Sequence, residues 1–372
     1  MSVQLRNDTA STISPLLSTS APRWIWLQLL EACNLRCKMC YEWGDNGAYK
    51  ERTMLTQLDI KVVKQIIEDC SPVKPYYDLF GGEPLMYPHI DEVLAALKYY
   101  GSQVAFPTNG TLLEKHAEMI IENEPHRVWV SMDGPEEIND QQRGKGVFKR
   151  AIRGIEKLHA LREEKGKEFP KIGTIFIITP LTYMHVEELF FKSMDITKLD
   201  HISLEFQSFI TPEDHVNYRN ILKDNFDLDT NAAVSRGFVR ELSEFSEMDA
   251  KEIARQVRNI EEYCKEKGVY FNAYPQNMTE ETVELYFSGN SHKLSHAKKR
   301  CEFPWLSTEI NARGDVTSCH AFYDLTLGNV NEQRLIDIWN GPKYKQYRNY
   351  LKKNSFPICQ ACCLNFKTKT EK

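Results

Sequence analysis

The stretch EACNLRCKMCYEWG, residues 31–44, places Cys33, Cys37 and Cys40 within eight positions. It follows a β-rich apolar run, WIWLQLL (24–30), and precedes a segment in which Ile60, Val63, Ile66, Ile67 and Cys70 recur on one face of a helix. Thr56 and Asp59 stand before that helix in the positions of an N-terminal capping box. A strand, a thiol-bearing loop and a helix therefore follow one another, and the next segments repeat the rhythm.

Working outward, β-rich runs recur at YYDLF (76–80), QVAFPT (103–108), RVWVSM (127–132), KIGTIFIIT (171–179) and HISLEFQSF (201–209). Between them lie helical faces: Ile90, Val93, Leu94 and Leu97, then Phe148, Ala151, Ile152, Ile155 and Leu158. Strand, helix, strand in this order requires parallel pairing with right-handed crossovers. Six such units predict either an open doubly wound sheet or an incomplete β/α barrel. In both, chemistry collects at the carboxyl ends of the strands, where the unusual residues fall: the cysteine loop, GGEP (81–84), TNG (108–110) and SMDGP (131–135).

The 372 residues and 42% hydrophobic content suffice for a large α/β unit and a smaller one. A formal charge of −5 offers no overall basic field, so nucleic acid is not an expected partner. Residues 1–22 are Ser/Thr-rich and lack the basic start and apolar run of an export signal or membrane span, so they are read as a flexible leader of a cytoplasmic protein. Ten cysteines in such a protein point to metal binding or catalysis rather than disulfides.

Residues 211–300 break the rhythm and read as a helical linking or insertion segment, either a solvated spacer or the wall of a substrate entrance, with a strand-like VYFNAYP inside it. From Cys301, WLSTEINARGDVTSC reads as a hairpin turning at Arg313 and Gly314, and RLIDIWNGPKYKQYRNYL as one amphipathic helix. Cys70 and Cys264 lie on helices and read as structural, and Trp24 and Trp26 as core or barrel-rim aromatics. His320 forms no recognisable ligand pair.

Four thiolates close a tetrahedral zinc site, whereas three on one loop suit three corners of a cubane iron-sulfur cluster and leave its fourth iron open. A zinc site built from Cys37, Cys40, Cys359 and Cys362, in a non-catalytic module, is the competing reading. It leaves Cys33 unused and the glycine-rich loops unexplained.

CNLRCKMC followed by GGEPL resembles the radical S-adenosylmethionine (radical SAM) superfamily, and the C-terminal cysteines resemble its SPASM/twitch branch. The resemblance runs from Trp24 to Phe366 and implies a partial (β/α)6 barrel over residues 23–210, followed, after the 211–300 segment, by a small α+β domain over 301–372. It implies that Cys33, Cys37 and Cys40 hold a 4Fe-4S cluster whose open iron binds SAM, and that a 5′-deoxyadenosyl radical removes a substrate hydrogen. Gly81, Gly82, Glu83 and Pro84 match the loop that takes the methionine ammonium, Ser131 a position contacting SAM, Arg143 an arginine on the SAM carboxylate, and Asn109 a recurring position near the site. The residue before the third cysteine is usually aromatic; here it is Met39, and Tyr41 is placed to compensate.

Cys301, then Gly314 and Cys319, then Cys359 and Cys362, resemble the start of the SPASM motif. In the shorter twitch form they imply one auxiliary 4Fe-4S cluster with four ligands, Cys363 being the alternative to Cys362. A fully ligated cluster suits electron uptake in a net oxidation. The expected substrate is a small molecule or metabolite, because some twenty residues before the first strand are too few for the peptide-recognising domain of many peptide maturases; peptide maturation is the alternative. Methyl or other group transfer is a third possibility, and no cobalamin-binding domain is apparent for it. A reducing partner such as flavodoxin or ferredoxin is implied. Asp133, Glu205, Gln207 and Tyr323 are the candidates for an acid or base.

Overall fold

The computed structural model describes residues 20–294, 301–317, 319 and 323–362. Cys363, His320 and most of the leader lie outside them, and the leader's Ala21 and Pro22 are buried. Strands β1 (Trp24–Gln28), β2 (Tyr76–Phe80), β3 (Val104–Thr108), β4 (Arg127–Ser131), β5 (Lys171–Ile178) and β6 (His201–Phe206) pair in parallel in sequence order. These are the six expected, each ending within three residues of its predicted limit. The helices between them, α1 (Ile60–Cys70), α2 (Ile90–Tyr100), α3 (Leu113–Asn123), α4 (Glu136–Arg143) and α5 (Val147–Glu164), bury the predicted faces. On α1 these are Val63, Ile66, Ile67 and Cys70, and a fully buried Ile67 contributes about 2 kcal/mol.

The sheet does not stop at six strands. β7 (Tyr270–Tyr274), from the strand-like run inside 211–300, joins β6 in parallel, and β8 (Ser307–Ile310), from the C-terminal segment, joins β1 in parallel. The predicted hairpin is present: β9 (Asp315–Thr317) turns back on β8 and β10 (Gly328–Asn329) on β9, giving the order β10-β9-β8-β1-β2-β3-β4-β5-β6-β7. The result is an open, mostly parallel α/β partial barrel whose sheet draws strands from all three segments. The sequence marks both runs as strands, but not their place in this sheet, because neither alternates with helices of the preceding period.

Two local expectations change. Thr56 does not cap α1: its N–H donates to Glu31 Oε2 at 3.1 Å, and Asp59 alone caps by accepting from Lys61 N. The single C-terminal helix is two, α6 (Leu335–Asn340) and α7 (Pro342–Leu351). Pro342 forces Gly341 into an extended conformation (φ −74°, ψ 172°), which ends the first helix and starts the second.

At the amino ends of the strands, an Arg127 N–H donates to His201 Nε2 at 3.2 Å. Burial and that guanidinium hold the His201 imidazole down to about 3, and burial with Arg127 holds His126 down to about 4. Both rings fold neutral and charge more readily in the unfolded chain, near 6.5. Stability is therefore full above that value and is lost as pH falls from it toward the folded values. Between pH 7 and 5 His201 should account for a loss of about 2 kcal/mol. Thermal unfolding at the two pH values should show a smaller difference for His201→Gln; an unchanged difference would contradict this assignment.

Candidate active site

The cysteine loop leaves the end of β1, and Cys33, Cys37 and Cys40 all line one cavity of about 420 Å³ at the carboxyl ends of the strands. Backbone amides point at two of the sulfurs, Leu35 N–H to Cys33 Sγ (3.4 Å) and Trp43 N–H to Cys40 Sγ (3.3 Å). Burial pushes the Cys33 and Cys40 thiols up to about 12 and raises Cys37 as well, partly offset there by Arg143. Such thiols ionise when a cation binds them, and the N–H donors favour the sulfur anion. The three-thiol loop thus fits a cluster bound through thiolates.

The GGEP loop packs directly on the cysteine loop. Gly82 has φ +37°, and a Cβ there would lie 1.8 Å from the Ala32 carbonyl oxygen, so only glycine allows this approach. Gly82→Ala should destabilise the fold by about 3 kcal/mol and weaken SAM binding; denaturant unfolding and a SAM titration check this, and wild-type behaviour in both would contradict it. Glu83 is buried and its carboxylate is already occupied: it accepts from Asn109 N–H (2.8 Å), Thr108 Oγ1 (2.7 Å) and Leu85 N–H (3.1 Å). Burial raises its pKa against these three donors. Glu83 thereby ties the loop to the end of β3 while still lining the cavity.

Gly81, Pro84, Asn109, Ser131, Arg143, Met39 and Tyr41 also line this cavity, so the structure brings together every residue matched to a SAM contact. Asn109 is positioned by its own bonds, donating to Asn34 Oδ1 (2.8 Å) and accepting from Thr111 N–H (2.9 Å). Arg143 is buried and paired, its Nε 2.6 Å from Asp133 Oδ2. Of the acid/base candidates, Glu205 and Gln207 reach the cavity wall. Asp133 and Tyr323 are not among its lining residues. Asp133 faces Arg143 and accepts from Ile177 N–H (2.9 Å), and Tyr323 donates to Glu42 Oε1 (2.7 Å).

Sequence reading missed Glu42, Phe80, Gly237 and Phe238, all of which line the cavity. Glu42 is buried, and burial pushes it up to about 7 against donors from Tyr323, Gly82 and Gln28. Its signal was visible: a carboxylate two places after Cys40, between two aromatics. Phe238 stacks on Tyr41 with ring centroids 4.4 Å apart, and nothing in its local sequence marks it. The 211–300 segment thus forms part of the cavity wall rather than a spacer.

Cys301, Cys319, Cys359 and Cys362 are all half-buried and free of disulfides. Burial, with the neighbouring Cys362, pushes Cys359 up to about 12, the same chemistry as in the first loop. Burial raises the phenol of Tyr218 well above its usual value, with Asp324, Tyr347, Cys319 and Cys359 adding to the shift. Among the described residues, no three His, Cys, Asp or Glu side chains converge as ligands of a single metal ion. Among the same residues no helix is long and apolar enough to cross a membrane.

Comparison with known proteins places two family matches on the chain. The family profile described as the radical SAM superfamily matches residues 27–192, and that of an iron-sulfur cluster-binding domain, SPASM, matches residues 301–363. The chain is 24% identical to the tungsten-containing aldehyde ferredoxin oxidoreductase cofactor-modifying protein of Pyrococcus furiosus, over 92% of this chain and 87% of that protein. It is 25% identical to the serine-type anaerobic sulfatase-maturating enzyme of Bacteroides thetaiotaomicron, over 95% and 82%. In fold it is similar to Streptococcus suis SuiB bound to S-adenosylmethionine, with a TM-score of 0.62 at 19% identity, covering 92% of this chain and 72% of that one.

Proposed function

Because the chain belongs to the radical SAM superfamily and carries an SPASM iron-sulfur domain, we propose that it oxidises a small molecule or metabolite bound in the cavity beside Cys33, Cys37 and Cys40. The observation that carries this reading is the convergence on that one cavity of three thiols and the matched residues at the ends of β1 to β4. Cys33, Cys37 and Cys40 would hold a 4Fe-4S cluster, which when bound would supply the electron for reductive cleavage of SAM and so the means of abstracting a substrate hydrogen.

The chain's own residues do the rest. Gly81, Gly82, Glu83 and Pro84 present backbone to the methionine end of SAM. Arg143, held by Asp133, sets a guanidinium at the cavity wall for its carboxylate. Asn109, Ser131, Met39 and Tyr41 line the remainder. Glu205 and Gln207, at the end of β6, face the space left for substrate and are its candidate polar contacts. Cys301, Cys319, Cys359 and Cys362 would hold one auxiliary 4Fe-4S cluster, which when bound would offer an acceptor for the electron left by substrate oxidation. A flavodoxin or ferredoxin supplies the first electron, through the exposed side of the loop at Asn34, Arg36 and Lys38. The setting is the cytoplasm, where such thiols stay reduced.

The name of the Pyrococcus relative, a cofactor-modifying protein, supports a small-molecule substrate; that of the sulfatase-maturating relative favours a second reading, peptide oxidation. The test adds low-mass metabolite or peptide fractions to the reconstituted enzyme with SAM and dithionite. Stimulation of 5′-deoxyadenosine formation by the metabolites, with a product two hydrogens lighter, is the expected result. Stimulation by peptides alone would overturn the small-molecule assignment.

A further inference from the structure

Tyr323 and Asp324, four and five positions after Cys319, each make a long-range contact. Tyr323 is buried and donates its hydroxyl to Glu42 Oε1 at 2.7 Å, with Tyr49 Oη 3.1 Å away. Gln28 donates to the same Glu42 oxygen at 2.5 Å and to Tyr49 Oη at 2.8 Å, so Glu42 is held from the end of β1 and from the C-terminal segment at once. The neighbouring Asp324 carboxylate accepts from Val234 N–H and Ser235 N–H, both at 2.9 Å.

That second grip fixes the short helix Ala233–Gly237. Gly237 rests against the Tyr41 backbone so closely that a Cβ would lie 2.0 Å from the Tyr41 oxygen, and Phe238 stacks on the Tyr41 ring. Glu42 is therefore held directly by Tyr323, and Tyr41 indirectly by Asp324 through the Ala233–Gly237 helix and Phe238. Tyr41, Glu42, Gly237 and Phe238 all line the SAM cavity.

We propose that Tyr323 and Asp324 are positioning residues through which the auxiliary-cluster loop sets the wall of the SAM cavity, so that the cavity is complete only when the auxiliary thiols are coordinated. The proposal rests on the assignment of Cys319 to an auxiliary cluster. It explains why a thiol ligand and two long-range contacts share one short stretch, where a cluster acting only as an electron acceptor would need the thiol alone. Cys319 lies only four positions before Tyr323, so a ligated Cys319 would restrain both residues along the chain.

The test compares wild type, Tyr323→Phe, Asp324→Asn, Asp324→Ala and Cys319→Ala, all reconstituted anaerobically. Three quantities are read: iron per chain, SAM dissociation constant, and amide hydrogen exchange over residues 232–239. Tyr323→Phe and Asp324→Ala should keep wild-type iron yet weaken SAM binding about tenfold, the scale of one lost hydrogen bond. Asp324→Ala should also release the Val234 and Ser235 amides to exchange, and Asp324→Asn, which keeps one acceptor, should restore part of both. Cys319→Ala, with its auxiliary iron lost, should match Asp324→Ala in exchange over 232–239. SAM affinity in the 324 and 323 variants equal to wild type, or unchanged 232–239 exchange once the auxiliary iron is gone, would overturn the proposal. Failure of the wild-type protein to bind SAM would instead remove the functional reading beneath it, so the two failures are distinct.

Discussion

Cys37→Ala is expected to abolish SAM cleavage while leaving the chain folded. Burial raises all three thiols of the loop, so each thiolate is costly until iron binds it. Three sulfur-iron bonds repay that cost, and two hold a cubane poorly. The position is also local in its effects: Cys37 is half-buried, and its sulfur contacts the Arg143 carbonyl only at 4.0 Å. The variant should lose the iron of one cluster, show no 5′-deoxyadenosine with SAM and dithionite, and unfold near the wild-type midpoint. Retained cleavage would mean that Cys37 is no ligand.

Cys319→Ala carries the second large effect, and it separates two events that Cys37→Ala removes together. The SAM-binding loop remains, so cleavage of SAM persists at raised SAM concentration, weakened through the cavity wall. The substrate reaction should fail, because the electron left after hydrogen abstraction has lost its acceptor. Product analysis by mass spectrometry, read beside 5′-deoxyadenosine, gives both quantities from one incubation. Complete loss of SAM cleavage in a folded Cys319→Ala protein at saturating SAM would contradict this division of labour.

Much of this site could be read before any coordinates because its parts are local. Three cysteines on one loop, two glycines after the next strand, and Asn109 and Ser131 after the following ones each occupy a strand end, and parallel strands bring successive ends to one rim. The strands themselves were visible because apolar runs of that length, spaced by helical faces, admit few other arrangements. What escaped was non-local. Asp133 sits ten residues before Arg143 in sequence, but only the turn from β4 into α4 makes them an ion pair.

Tyr323, an acid/base candidate on sequence, donates to Glu42 across 281 positions of chain. The pairing of β8 with β1 creates that contact, and no periodicity within 301–372 announces it. Glu309, on β8 and in register with Trp26, shows the same limit: a carboxylate of fully buried side chain, raised well above the usual range by burial and by Glu42, inside a run that reads only as a strand.

The most direct test is the iron and sulfide content of anaerobically reconstituted protein, with product analysis after adding SAM and dithionite. About eight irons per chain, four for each of two clusters, together with 5′-deoxyadenosine, is the predicted result. Zinc in place of iron, with SAM intact, would contradict it and leave the cysteine loop as a structural knuckle.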